Sequence, residues 1–216
     1  MTLARLRREQ SQREEIANSI SHGIGLVAAL VGTPFLITQA ERHGNVGFVV
    51  GASLFSATAI SLYLASTLYH ALPAGKTKRV FRVLEHSAIF LLIAGTYTPF
   101  TLGVLYGVWG WILLTIIWGL AAAGVVLKVF YRASLPILSI SLYLFMGWMV
   151  VIAIDPLVAK VPTHGLLWLI AGGLSYTLGV VFFAIDSRLR YAHLIWHLFV
   201  LAGTTCHYFA VFWYGA

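Results

Sequence analysis

The chain has 216 residues, of which 60% are hydrophobic and 10% charged, with a mean hydropathy of +0.88. Soluble domains carry about 25% charged residues, so this composition excludes an ordinary water-soluble domain and points to an integral membrane protein. The net charge of +7 would suggest nucleic acid in a soluble chain; here its distribution marks topology, and no nucleic-acid partner is expected.

The first residues, MTLARLRREQSQREE, are polar and mixed in charge. The apolar stretch after them runs to about Ala40, too long for the 7–15-residue core of a signal peptide. Residues 1–16 are therefore expected to form a short cytoplasmic arm, and residues 17–216 one transmembrane domain. Seven apolar segments follow, at about 17–40, 46–70, 83–105, 108–128, 134–154, 164–185 and 192–214. Each is near the ~20 residues that a helical span needs. The predicted fold is all-α, a seven-transmembrane helix bundle with short loops such as ERHGN, ALPAGKTKRVFR, DPLVAKVPT and DSRLRY.

With seven spans, the N-terminus and the second, fourth and sixth loops share one side. That side carries Arg5, Arg7, Arg8, Arg13, Lys76, Lys78, Arg79, Arg82, Lys128, Arg132, Arg188 and Arg190; the other carries only Arg42 and Lys160. The positive-inside rule then puts the N-terminus in the cytoplasm and the C-terminus outside. An even number of spans would scramble this sorting. Gly47 and Gly51 form GxxxG on the second span, and Ser175 and Gly179 a similar small-residue pair on the sixth, both suited to close helix contact. Trp109, Trp111, Trp168, Trp213 and Tyr214 fall near the outer interface, as an aromatic belt would. The single cysteine, Cys206, excludes an intramolecular disulfide framework.

Sorting the polar residues by depth brings out the chemistry. His193 and His197 are four residues apart at the start of the seventh span, on one helical face. Ser66 and His70 have the same spacing at the end of the second span. Glu85 and His86 open the third, and His22 lies near the start of the first. All of these fall at the cytoplasmic membrane level, where ionisable groups are costly and usually carry a partner or a task. Three neutral imidazoles can hold Zn²⁺ and leave one position for water, whose deprotonation then becomes possible near neutral pH. On this reading His70, His193 and His197 are the ligands, Glu85 is the general base or water anchor, and Ser66 is the hydroxyl that orients water or an oxyanion. Glu15, Asn18 and His22 lie on one stripe of the first span. They fit a supporting shell to the metal site, part of a substrate mouth or, more simply, a helix cap anchored to inner-rim basic residues. His86 and His207 read as core histidines, and His43 and His164 as solvated residues of the outer rim.

The motifs EEIANSISHGIG at 14–25, ASTLYHALP at 65–73, LEHSAIFLLIAGTYTPF at 84–100 and HLIWHLFVLAGTTCH at 193–207 give the chain a further resemblance. It resembles bacterial members of the hemolysin III family within the progestin and adipoQ receptor superfamily, and is similar to the adiponectin receptors and, more distantly, the alkaline ceramidases. The resemblance covers essentially the whole chain. It implies seven helices and an intramembrane zinc held by the helix-2 histidine, here His70, and the two helix-7 histidines, here His193 and His197. Where relatives usually have aspartate at the start of the third helix, this chain has Glu85. The resemblance also implies a multi-pass location in the bacterial inner membrane, with membrane lipids as surroundings and as possible substrate. Two functions from different classes fit: a zinc-dependent hydrolase of lipid amide or ester bonds, and a non-enzymatic membrane sensor or homeostasis protein with zinc as a staple. A third, lytic or pore-forming activity, is implied by the family's name alone.

Overall fold

The computed structural model describes residues 8–131 and 136–216; Arg5, Arg7 and Arg132 of the charge asymmetry lie outside the described residues. Among the described residues, seven helical spans are long and apolar enough to cross a membrane. They are α1 (Gln12–Arg42), α2 (Val46–Ala71), α3 (Lys76–Leu102), α4 (Val108–Tyr131), a composite fifth span, α7 (Thr163–Ala184) and α8 (Ala192–Tyr214). The fifth span comprises α5 (Pro136–Trp148), a 3-10 turn at Met149–Ala153 and α6 (Ile154–Lys160). Pro136 opens α5, where its fixed φ and missing N–H cost nothing.

The seven spans are where hydropathy places them, but helix ends and apolar ends differ. α3 begins at Lys76 rather than near 83, so the basic stretch KTKRVFR is helical. Lysine and arginine are good helix formers, and hydropathy marks where a helix leaves hydrocarbon, not where it unwinds. Likewise DPLVAK, expected as loop, forms α6, with Asp155 in its first turn against the positive end of the helix dipole. α1 starts at Gln12, capped by a box in which Ser11 Oγ accepts from Glu14 N while Glu14 Oε2 accepts from Ser11 N at 2.9 Å. The cap is therefore Ser11 with Glu14; Glu15 and Asn18 are free for other work.

Small residues set the helix spacing. A Cβ built at Gly51 would lie 2.5 Å from Pro99 Cα, and one at Gly47 2.5 Å from the Leu102 carbonyl oxygen. The GxxxG face of α2 thus lies on the α3 backbone. Between α7 and α8 the close approach is made at Gly172, over His207, and at Gly179, over Trp196 and Phe199. Ser175 instead bonds the Ala171 carbonyl of its own helix. Apolar packing fills the rest: one cluster includes Phe48, Phe55, Leu62 and Val211, and a second joins Phe90, Ile117, Tyr143 and Met146.

α1 reverses the usual rule for a helix of a water-soluble protein. Ile16, Ile20, Ile24, Val27, Val31 and Phe35 form a stripe at helical spacing that faces outward, each more than half exposed. Glu14, Asn18, Ser21 and His22 face inward and are buried, between 1% and 6% exposed. Hydrocarbon explains the outer stripe; the inner one needs partners, since a buried polar group without a hydrogen bond costs roughly 2–7 kcal/mol.

The α2–α3 contact gives a direct check. Gly51→Ala should lower stability by about 1–3 kcal/mol through overpacking, read as a drop in melting temperature in detergent. Gly119→Ala, with nothing within 4 Å of its Cβ position, should leave it unchanged or slightly raised.

Candidate metal centre

Three helices meet at the end of the bundle that carries the N-terminus. His70 comes from the last turn of α2, Glu85 from α3, and His193 and His197 from the first turns of α8, and all four are buried. One ligand atom from each lies within 4.8 Å of the others, a group that could hold a metal ion. The two His–x3–His and Ser–x3–His pairs are thus brought together with the carboxylate, as their common depth suggested.

The orientation of the rings carries more than their proximity. His70 Nδ1 lies 2.7 Å from Glu15 Oε2. His193 Nδ1 lies 3.0 Å from Asp186 Oδ2. His197 Nδ1 lies 3.2 Å from the Asn18 carbonyl and 3.0 Å from Ser21 Oγ, whose own proton goes to the Asn18 carbonyl at 2.8 Å. Carboxylates and carbonyls only accept, so each Nδ1 carries the hydrogen and, in the neutral ring, each Nε2 carries the lone pair. Among the described residues none of the three buried Nε2 atoms has a hydrogen-bond partner, and neither has Glu85 Oε2. His70 Nε2 and Glu85 Oε1 are 3.5 Å apart, without hydrogen-bond alignment. Three converging lone pairs, each fixed from behind by an oxygen, are the arrangement in which proteins orient metal-binding histidines. Imidazole donors suit zinc, copper, iron or nickel and not calcium or magnesium, which take oxygen.

Glu85 is held on its other side. Ser66 Oγ donates to Glu85 Oε1 at 2.7 Å. That proton is committed to the carboxylate, so Ser66 positions Glu85 instead of addressing water or an oxyanion itself. Neither Arg79 nor Arg82 forms an ion pair with Glu85 among the described residues. The stripe on α1 packs behind the cluster: Glu15 bonds His70, the Asn18 main-chain carbonyl bonds His197 while the Asn18 side chain turns to Gln10, and the His22 ring stacks on His197 with centroids 3.5 Å apart and planes 6° from parallel. His86 and His207 stand outside the four-residue group. His207 is buried and stacked on Tyr176, and His43 and His164 are exposed.

Three supporting residues were not singled out from sequence. Ser21 lies one residue before His22 and is visible only once α8 is docked. Asp186 is seven residues before His193, in a loop whose path no periodicity specifies. Glu14 accepts two bonds from Arg8, at 2.6 Å each, and one from Tyr191 N at 2.8 Å. Tyr191 has φ 59, a left-handed conformation that costs of order 1–3 kcal/mol for such a residue. The bidentate Arg8–Glu14 pair, with its carboxylate buried, is of the strong kind. It ties the arm and α1 to the turn that launches α8, and so fixes the height of His193.

Beside the cluster lies a cavity of about 1060 Å³, lined by His70 and His193 and also by Ile16 and Ile20 of the outer α1 stripe. A second, small pocket of about 10 Å³ touches Glu85, His22 and His193, about the volume one water occupies.

Residues 10–208 match the family described as Haemolysin-III related. The chain is 43% identical to Hemolysin-3 of Bacillus cereus over 214 residues, 99% of this chain and 97% of that protein. It is also 43% identical to the Hemolysin-3 homolog of Bacillus subtilis (strain 168) over 202 residues, 94% of each. It is 30% identical to the human monocyte to macrophage differentiation factor over 210 residues, 93% of this chain and 84% of that protein.

The supporting layer makes its own prediction. Asp186→Ala should keep the fold and weaken metal affinity by about 10- to 100-fold, measured by chelator competition. Glu14→Ala should weaken it too and also lower the melting temperature, because it frees the Tyr191 turn.

Proposed function

The chain belongs to the Haemolysin-III related family, and from that premise we propose that it is a zinc-dependent hydrolase of lipid amide or ester bonds in the bacterial inner membrane. The observation that carries the proposal is the set of three buried, partnerless Nε2 atoms converging with Glu85 beside a large cavity whose lining His70 and His193 share. A staple needs ligands; it does not need a chamber beside them or a partnerless carboxylate oxygen.

On this reading His70, His193 and His197 hold the ion. Zinc, when bound by three imidazoles, supplies Lewis acidity and a water nucleophile near neutral pH. The protein does the rest. Glu15, Asp186 and the Asn18 carbonyl hold the rings in the tautomer that presents Nε2. Ser66 fixes one oxygen of Glu85, leaving Oε2 to accept the proton of the attacking water. The substrate's polar junction enters the cavity, and its tails lie toward lipid past Ile16 and Ile20, which belong both to the cavity wall and to the outward stripe. The basic residues gathered at this end support its placement in the cytoplasm by the positive-inside rule.

A second reading, a non-enzymatic sensor or homeostasis protein with the metal as a staple, draws on the way the cluster joins α2, α3 and α8, with α1 packed behind it. The two separate at one residue. Glu85→Gln, nearly isosteric, should retain metal and melting temperature while turnover on lipid amides and esters falls at least about 100-fold. If no wild-type turnover appears across such substrates and stability tracks metal content, the staple reading stands instead.

A further inference from the structure

Three basic residues that line the cavity, Arg82, His86 and Lys128, have no part in the metal cluster. Two acids of the same lining are engaged: Glu15 binds His70 and Lys78, and Asp186 binds His193. Glu9 stands exposed at the rim. Arg82 and His86 of α3 stand four residues apart, on one helical face, and Lys128 lines the same cavity from the last turn of α4. Among the described residues none of these three side chains forms a hydrogen bond or ion pair, the Tyr143 hydroxyl bonding only the main-chain carbonyl of His86.

Lys128 is the telling member. It is 4% exposed, so its ammonium does not snorkel to the headgroup plane in the usual way of a lysine at the end of a span. It lies within Coulombic range of Arg82, a like charge that makes its burial costlier. The C-terminal dipole of α4 offsets little of that. A buried lysine, a guanidinium and an imidazole facing one chamber, none of them bonded to an acid, call for an anion. A guanidinium fork, three ammonium donors and a ring N–H together match the several oxygens and double charge of a phosphate better than the two oxygens of a carboxylate.

We propose that Arg82, His86 and Lys128 form an anion subsite that receives the phosphate of an anionic lipid headgroup beside the metal cluster. The inference deepens the hydrolase reading by naming its substrate class, and it rests on that reading for the bond that is cleaved; the binding itself does not. His86 follows Glu85 directly in α3 and touches the same small pocket. A phosphate held there leaves the adjoining polar junction of the lipid facing Glu85, with the tails toward Ile16 and Ile20.

The test is calorimetric titration of the full-length protein in non-ionic detergent with three probes: dihexanoyl phosphatidic acid, dihexanoylglycerol and inorganic phosphate. The phosphatidic acid should bind at least about tenfold more tightly than the glycerol lacking phosphate. Lys128→Gln and Arg82→Gln should each weaken it about tenfold. Lys128→Arg should bind as wild type, and so should Arg79→Gln, an exposed neighbour on α3 outside the cavity. Competition by inorganic phosphate would support a subsite that reads phosphate alone; binding of the lipid without such competition would support recognition of headgroup and tails together. Equal binding of the neutral glycerol would overturn the proposal. So would undiminished phosphatidic acid binding by Lys128→Gln and Arg82→Gln. Should Lys128→Gln not fold, Arg82→Gln, only partly buried, decides. Metal content and turnover measured on the same samples keep the two readings apart: phosphate-dependent binding without metal would refute the hydrolase and leave the subsite standing.

Discussion

Each of the three histidines donates Nδ1–H to an oxygen that only accepts, and so turns an Nε2 lone pair toward the same point. The rest of the N-terminal end is arranged around that requirement. A buried imidazole in a membrane protein has two nitrogens to satisfy and no water to satisfy them with. Here the outer nitrogens are met by Glu15, Asp186 and the Asn18 carbonyl. The inner ones are left for a shared ligand. A metal ion is a ligand that such a set could hold.

This requirement explains why α1 is built inside out. Its polar stripe supplies the oxygens behind His70 and His197 and the ring stacked on His197, while its apolar stripe faces lipid. It also explains the effort spent on the turn before α8. Tyr191 is held in a left-handed conformation by Glu14, and Glu14 by Arg8, so the height of the His193–His197 pair is fixed by the first described residues of the chain. Elsewhere helices approach through glycine, with Gly51 of α2 against Pro99 of α3. That contact keeps α2 and α3 close, and with them His70 and Glu85.

Much of this was legible in the sequence because two signals are local. Hydropathy counts spans, and i, i+4 spacing puts His193 with His197 and Ser66 with His70 on single faces. Depth then joined the pairs and added Glu85, since seven spans of known order leave little freedom in which end meets which. The same stripe argument marked Glu15, Asn18 and His22. What stayed hidden depends on docking or on loops. Asp186 and Glu14 act across the α7–α8 connection, and no periodicity reports a loop's path. The direction of the Ser66 proton follows from where Glu85 lies, which spacing on α2 cannot state. The early start of α3 and the helical α6 were missed because a charge ends an apolar run without ending a helix.

The most direct test of the central claim is the metal content of the purified protein by elemental analysis, with wild type beside His70→Ala and His193→Ala. The expected result is about one zinc per chain, lost in both variants, since α2 and α8 then contribute to one site. A folded wild type without metal would contradict it, and so would a His70→Ala variant that keeps its zinc in full.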